Sequence, residues 1–389
     1  MKNILFLMKG FGVGGQEVVT SVIADNLLKY GYQISIVFLS KPHGFVFENL
    51  NRKIKQHIFD KEEINASRIK AIRKILIDDN INVVINQWGL PFWPAFILKK
   101  AVNNLPIKVI SVYHNQPNIN ARIKGVELLK EKKNSPIKKV TLHVMEKFYS
   151  FLTRCSMRYV YDCSDKYILL SNAHINDFKN FTRLKDLSKV KVITNPVTIE
   201  TKDFIYDYHK KKHEIIYVGR IDYNQKRAFR LADIWSLIET KLPDWNFTVV
   251  GNGVDYEKFK EYIKLKKVRN INLIGFAPPQ EYYKRASIMI MTSEYEGLPL
   301  VLAEGMSYGC VPVVFGSFSS IYDIIDDKEN GFIIPNNNGF SAKEMANTII
   351  RLANNEKMLI EMSHNAMEKS RKFNVEPIIK QWRELIDEI

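Results

Sequence analysis

Short, nearly unbroken apolar runs recur along the chain, separated by stretches of helical period. In the first half the runs are NILFLM (3–8), QISIVFL (33–39), NVVIN (82–86), IKVISVY (107–113), KYILL (166–170) and KVKVIT (189–194). Runs of this length with little polar alternation read as strands buried on both faces, as in a parallel sheet. Helical stretches lie between them, such as QEVVTSVIADNLLKYG (16–31), whose last residue, Gly31, suits a helix C-cap. Strand–helix alternation predicts βαβ units. Residues 195–213, NPVTIETKDFIYDYHKKKH, have no period and read as a linker opening on the Asn195-Pro196 turn. The alternation then restarts: EIIYVG (214–219), NFTVVG (246–251), INLIGF (271–276), SIMIMT (287–292), VPVVF (311–315) and GFIIP (331–335). Helical patterns such as NVEPIIKQWRELIDEI close the chain.

A chain of 389 residues is too long for one ordinary core. The expected fold class is α/β with two doubly wound, Rossmann-like parallel-sheet domains. Residues 1–200 would form the first and 201–374 the second, with a helix at 375–389 crossing back to the first. In such an arrangement a cleft forms where the C-terminal ends of both sheets face each other, and ligands bind there.

The opening MKNILFLM reads as a strand rather than a signal peptide. The longest apolar run, WGLPFWPAFIL (88–98), is about half of the roughly 20 residues a membrane span needs. Three cysteines without a C-x-x-C, Cys155, Cys163 and Cys310, fit a reducing, cytoplasmic compartment. The histidines are scattered and no ligand spacing appears, so no metal is expected.

Charge changes this picture. Residues 1–200 hold 31 basic and 16 acidic residues, whereas the rest balance at 26 and 26, so the whole net charge of +15 sits in the first half. An anionic surface or ligand is the expected partner of that half, with plain solubility as the simpler reading. The density is highest in 121–161, with ten basic residues against Glu127, Glu131 and Glu146. There Leu142, Met145, Tyr149, Leu152, Ser156 and Tyr159 fall near one helical stripe. Either that stripe faces a core, or the helix lies on an anionic membrane with Trp88, Phe92, Trp93 and Phe96 adding aromatic contact.

The stretch KGFGVGGQE (9–17) spells G-x-G-x-x-G with Gly10, Gly12 and Gly15. A dinucleotide site also needs a carboxylate near the end of the second strand, and Ser40 and Lys41 stand there instead. No NAD(P) cofactor is therefore expected. Gly14 and Gly15 open a helix, so their amides can approach a diphosphate closely. In SEYEGLPLVLAEGMSYG (293–309), Glu296 and Glu304 are eight apart and a Gly-x-Pro turn precedes helical period. Glu296 then lies in the loop before the helix, and the amides of Gly297, Leu298, Leu300 and Val301 lie at an anion-binding N-terminus. Glu304 can accept hydrogen bonds from a diol such as a ribose. In YVGRIDYNQKR (217–227), Arg220 and Lys226 follow a strand, a placement suited to gripping a pyrophosphate.

EGLPLVLAEGMSYG with its two glutamates, VGRIDYNQK with its Arg and Lys six apart, and the early GVGGQE resemble glycosyltransferase family 4. VGNG (250–253), NLIGF (272–276), NGFIIP (330–335), ILLS (168–171) and ITNPV (193–197) extend the likeness over nearly the whole chain. That family consists of retaining, nucleotide-sugar-dependent enzymes of the GT-B fold. The resemblance implies that Arg220 and Lys226 hold the donor pyrophosphate, Glu304 the ribose, and Glu296 the hydroxyls of the transferred sugar. The amides after Glu296 would assist, and backbone near Phe276 would frame the base. His114, in SVYHNQP (111–117), matches the family's active-site histidine on the acceptor side. Two positions depart from the family pattern: Gly305 stands where Ala is usual, and Arg227 where a Gly commonly follows the lysine.

The expected function is retaining transfer of a sugar, with UDP as the default nucleotide, to a glycan or lipid-linked glycan in surface polysaccharide, lipopolysaccharide or capsule synthesis. The chain contains no Asp-x-Asp, so Arg220, Lys226 and helix N-termini would neutralise the leaving group without a metal. The alternatives are a basic nucleic-acid- or membrane-binding module without catalysis, a nucleotide-sugar epimerase of similar architecture, and a silent partner subunit. No zinc-finger, RNP-like or basic-zipper pattern supports nucleic acid. The expected location is cytoplasmic, peripheral on the inner face of the cell membrane.

Overall fold

The computed structural model describes residues 2–10, 14–132, 136–199, 201 and 204–389. The chain divides into two compact units, Met1–Thr198 with Val375–Ile389, and Ile199–Asn374.

In the first unit, β1 (Asn3–Met8), β2 (Gln33–Phe38), β3 (Lys55–Ile58), β4 (Val83–Asn86), β5 (Lys108–Tyr113), β6 (Lys166–Leu169) and β7 (Val190–Val192) form one sheet. Its order is β3-β2-β1-β4-β5-β6-β7, with every pairing parallel. β1 lies between β2 and β4, with Ile4 opposite both Ile34 and Val83. Five of its six residues are buried, so a continuous apolar run is the only sequence that suits it. β3 was not foreseen from the pattern. Its residues, KQHI, are mostly exposed, and it is an edge strand held by backbone pairing to β2.

In the second unit, β8 (Lys212–Val218), β9 (Asn246–Val250), β10 (Ile271–Gly275), β11 (Ala286–Met291), β12 (Val311–Gly316) and β13 (Phe332–Pro335) form a parallel sheet of order β10-β9-β8-β11-β12-β13. β8 starts at Lys212, inside the stretch read as linker. Phe204 and Tyr206, from that same stretch, pack on the second unit. Phe204 stacks edge-on against Tyr308 at 4.7 Å, and a Cβ added to Gly309 would meet Tyr206 Cε2 at 2.5 Å.

Each sheet reverses its strand order once, between β1 and β4 and between β8 and β11. At such a point the loops leaving the two neighbouring strands diverge and open a crevice at their C-terminal ends.

The terminal helix Val375–Glu388 packs on the first unit. It buries Ile378, Ile379, Trp382, Leu385 and Ile386. Lys2 Nζ donates to the carbonyls of Ile386 and Ile389 at 2.6 Å, and Tyr32 Oη donates to Asp387 at 2.9 Å. All three cysteines are free thiols: Cys155 exposed, Cys163 half-buried and Cys310 buried. Among the described residues no helix is long and apolar enough to cross a membrane.

Truncating Trp382 to Ala removes a large side chain from this docking and should cost about 3–5 kcal/mol. The loss should fall on the first unit. Peptide-resolved hydrogen exchange should show weakened protection in 1–198 and none in 199–374, and unchanged protection in 1–198 would refute the docking.

Candidate active site

β8 delivers its chain to Gly219 and Arg220 at the crevice beside β11. The turn that follows is built by Asp222. Its Oδ1 accepts from the amides of Gln225 at 2.7 Å and Lys226 at 3.0 Å, and its carbonyl accepts from the Ala228 amide at 3.1 Å. This side-chain-to-backbone capping fixes the direction in which Lys226 leaves the chain. The end of β11 anchors the same turn: Thr292 Oγ1 donates to the Lys226 carbonyl at 3.1 Å, and the Glu294 amide donates to the Gln225 carbonyl at 2.7 Å.

Lys226 Nζ reaches Glu296 Oε1 at 2.6 Å, and both side chains are largely withdrawn from solvent. Gln225 bridges the remainder. Its Oε1 accepts from Arg220 Nη2 at 2.7 Å, while its Nε2 donates to the Tyr295 carbonyl at 3.2 Å and to Glu296 Oε2 at 3.5 Å. Arg220, Gln225, Lys226 and Glu296 are thus one hydrogen-bonded group across the β8–β11 crevice. Arg220 keeps its side chain 62% exposed, open to an anion.

Glu296 and Gly297 lead through buried Leu298 and Pro299 into the helix Leu300–Ser307. Pro299 occupies the cap position and no side chain caps the end, so the amides of Leu300 and Val301 have no partner within the helix. Glu304 lies one turn further in and is buried. Phe276 follows β10 directly, two strands from β8, and is 73% exposed. Gly251 at the end of β9 brings these loops together: its amide donates to the Gly275 carbonyl at 2.7 Å, and a Cβ on it would collide with the Gly219 carbonyl.

The first unit repeats the plan at its own reversal point. Gly14 caps the helix Gly15–Lys29, and Gly15 faces open space. Gly12 of the glycine fingerprint lies outside the described residues. Gln16 Nε2 donates to the Gln87 carbonyl at 2.8 Å, tying the post-β1 helix to the end of β4. Gln87 Oε1 in turn contacts Nε2 of His114, just past β5, at 2.6 Å. An amide oxygen only accepts, so Nε2 carries the hydrogen and Nδ1 presents its lone pair. Nδ1 has no partner among the described residues. Burial pushes the His114 pKa down to about 4, so the ring is neutral at physiological pH. The β4–β5 approach depends on Gly89, where a Cβ would sit 2.5 Å from the Val112 carbonyl oxygen.

Three residues that hold the predicted groups had not been singled out: Gln225, Asp222 and Gln87. Asp222 and Gln225 lie inside the stretch read for its cations, and the Asp-Tyr-Asn-Gln turn signal was their trace.

Residues 13–201 match the family described as Glycosyltransferase Family 4, and residues 198–373 match Glycosyl transferases group 1. A Haemophilus influenzae protein described as an uncharacterized glycosyltransferase is 27% identical, spanning 99% of this chain and 100% of its own. A Campylobacter jejuni α-1,4-N-acetyl-D-galactosaminyltransferase acting on a diNAcBac-PP-undecaprenol-linked acceptor is 21% identical over 100% of this chain and 99% of its own. Among solved structures, Anabaena HepE in complex with UDP and glucose superposes with a TM-score of 0.78 at 15% identity, covering 100% of both chains. Staphylococcus aureus TarM in complex with UDP and α-GlcNAc-glycerol superposes at 0.75 with 16% identity, over 99% of this chain and 100% of that one. With both halves accounted for in this way, the chain belongs to glycosyltransferase family 4 and has the GT-B fold.

Proposed function

We propose that this glycosyltransferase moves a sugar, with retention of configuration, from a nucleoside diphosphate sugar to a glycan or lipid-linked glycan. UDP is the favoured nucleotide. The observation that carries the reading is the Arg220–Gln225–Glu296–Lys226 group at the β8–β11 crevice. Two cations beside a carboxylate match the chemistry of a sugar diphosphate, which presents phosphates and hydroxyls side by side.

In this reading the bond between the anomeric carbon and the diphosphate oxygen breaks, and a bond to the acceptor oxygen forms on the same face. The acceptor proton passes to the leaving phosphate. Negative charge grows on the diphosphate as it departs, and Arg220, Lys226 and the Leu300 and Val301 amides oppose it as fixed dipoles and charges. Glu296 accepts from sugar hydroxyls and Glu304 from the ribose. Phe276 borders the base. Within the first unit, Gly14 and Gly15 leave the N-terminus of the helix after β1 open to a phosphate, and His114 serves a substrate hydroxyl as a neutral imidazole. No metal is required in this scheme.

The relatives support the same class of chemistry. The HepE and TarM structures hold UDP, and the Campylobacter relative extends an undecaprenol-diphosphate-linked glycan. A Salmonella typhimurium lipopolysaccharide 1,6-galactosyltransferase is 28% identical over 36% of this chain. The place of action we favour is the cytoplasmic face of the cell membrane, in surface polysaccharide, lipopolysaccharide or capsule synthesis.

A panel of nucleotide sugars, scored by thermal shift and then by donor hydrolysis, identifies the donor. With that donor, Arg220→Ala and Lys226→Ala should each lower turnover about 10²-fold or more, and wild-type turnover in either variant would overturn the assignment. Activity should persist in excess EDTA; complete loss restored by a divalent ion would establish a metal. His114 gives a third check. Its pKa is near 4 in the folded protein, against about 6.5 in the unfolded chain. Only the unfolded chain takes up that proton between these values, so stability is intact above about pH 6.5 and is lost as pH falls towards 4. His114→Gln should remove a slope of at most about 1.4 kcal/mol per pH unit. Chemical denaturation at neutral and mildly acidic pH measures it, and equal losses in both proteins would contradict a buried neutral imidazole.

A further inference from the structure

The long helix Pro136–Asp162 has two unlike faces. Met157, Val160 and Tyr161 bury one of them in a core shared with Tyr167 and Phe178. Ser156 Oγ donates to the Leu90 carbonyl at 2.6 Å and Arg154 Nε to the Phe181 carbonyl at 2.8 Å, which fixes the rotation of the helix. The opposite face exposes Val140 (65%), Val144 (61%), Phe148 (56%) and Phe151 (55%). Steps of four, four and three residues align these side chains along one side. Exposed Cys155 continues the row, and Met145 and Leu152 widen it. The stripe read from the sequence meets this row only at exposed Met145 and Leu152, and its Leu142, Tyr149, Ser156 and Tyr159 are all partly covered. Of the aromatic residues expected to join it, only Phe92 is exposed.

Single exposed apolar residues are ordinary on a protein surface, but a continuous row is not. Lys138, Lys139, Lys147 and Arg158 are exposed on the same helix, and none has a carboxylate partner among the described residues. At 100° per residue, Lys147 and Arg158 border the apolar row, whereas Lys138 and Lys139 point to the other side of the helix. From Val140 to Cys155 the row is about 22 Å long at 1.5 Å per residue.

We infer that this face docks on an anionic phospholipid bilayer. The helix lies flat, with Val140, Val144, Phe148 and Phe151 entering the headgroup–acyl boundary and Lys147 and Arg158 meeting lipid phosphates beside them. Charge selects lipid over a second copy of the chain, because self-association would press one basic rim against another in a half that already carries the whole net charge of +15. The inference rests on the lipid-linked acceptor reading only for its purpose, which is to hold the enzyme where such an acceptor resides.

The test is co-sedimentation of the full chain with phosphatidylglycerol–phosphatidylcholine vesicles and with pure phosphatidylcholine at low salt. Wild type should bind the anionic vesicles alone. Phe148→Ser with Phe151→Ser, and separately Lys147→Glu with Arg158→Glu, should each lower partitioning about 10-fold or more. Both variants should keep wild-type hydrolysis of a soluble donor, which shows that they are folded. A polarity-sensitive dye on Cys155 should shift to the blue on anionic vesicles only. Absence of wild-type binding, or binding unchanged in both variants, overturns the proposal. A dimer in buffer that the Phe148/Phe151 variant dissociates, without vesicle binding, overturns it in favour of a second copy. Vesicle binding without donor hydrolysis would instead sink the transferase reading and leave the docking face standing.

Discussion

The contact between Lys226 and Glu296 is where sequence, topology and chemistry meet. The two residues are 70 apart in sequence and come from different strands, yet the charged atoms lie 2.6 Å apart. They meet because β8 and β11 are neighbours at the place where the strand order reverses. Removing two charges from water is unfavourable, and the pair alone is weak support for stability. Its value is positional. Asp222 and Thr292 hold the Lys226 backbone from either side, and Gln225 ties Glu296 to Arg220. Lysine has three donors, so Nζ can keep Glu296 and still meet a phosphate oxygen.

The same constraint explains the two departures from the family pattern. Arg227 has φ of +52°, a left-handed conformation that glycine adopts without penalty. Here the strain is offset by what the side chain holds: Nε lies 3.2 Å from Glu294, which also binds Arg230 at 2.9 Å. The arginine thus secures the turn after Lys226 to the segment before Glu296. Gly305 has the converse cause. A Cβ there would sit 2.5 Å from Met289 Sδ and 3.0 Å from its Cε. Met289 is in the middle of β11, so a bulky strand residue has taken the space that an alanine on the helix would fill.

Most of this architecture was legible in the chain because parallel strands buried on both faces must be apolar throughout. Every run so marked coincides with a strand. β3 escaped because an edge strand is specified by backbone pairing and its side chains leave no pattern. Within the site, charged residues were legible because their chemistry is unusual at a strand end. Gln225 and Gln87 were not: an amide in a loop looks like any surface residue until its partners are placed. The helix 136–162 failed differently. Both of its faces carry apolar residues, so periodicity alone could not say which was covered. That was decided by tertiary partners such as Leu90 and Phe181.

Positive charge does different work in the two halves. In the second unit many cations are matched by carboxylates of the same unit: Lys226 by Glu296, Arg230 by Glu294, Arg285 by Glu214 and Lys369 by Asp326. That half is neutral overall, so it exerts little long-range pull on an anion. Arg220 is the informative case. Its Nη2 donates to the neutral amide of Gln225 at 2.7 Å, whereas the nearest carboxylate oxygen, of Asp222, is 3.9 Å away. A carboxylate at position 225 would orient the guanidinium equally well but would cancel its charge. The amide holds Arg220 in direction without cancelling its charge, which suits it, together with Lys226, to the phosphate role proposed for the pair.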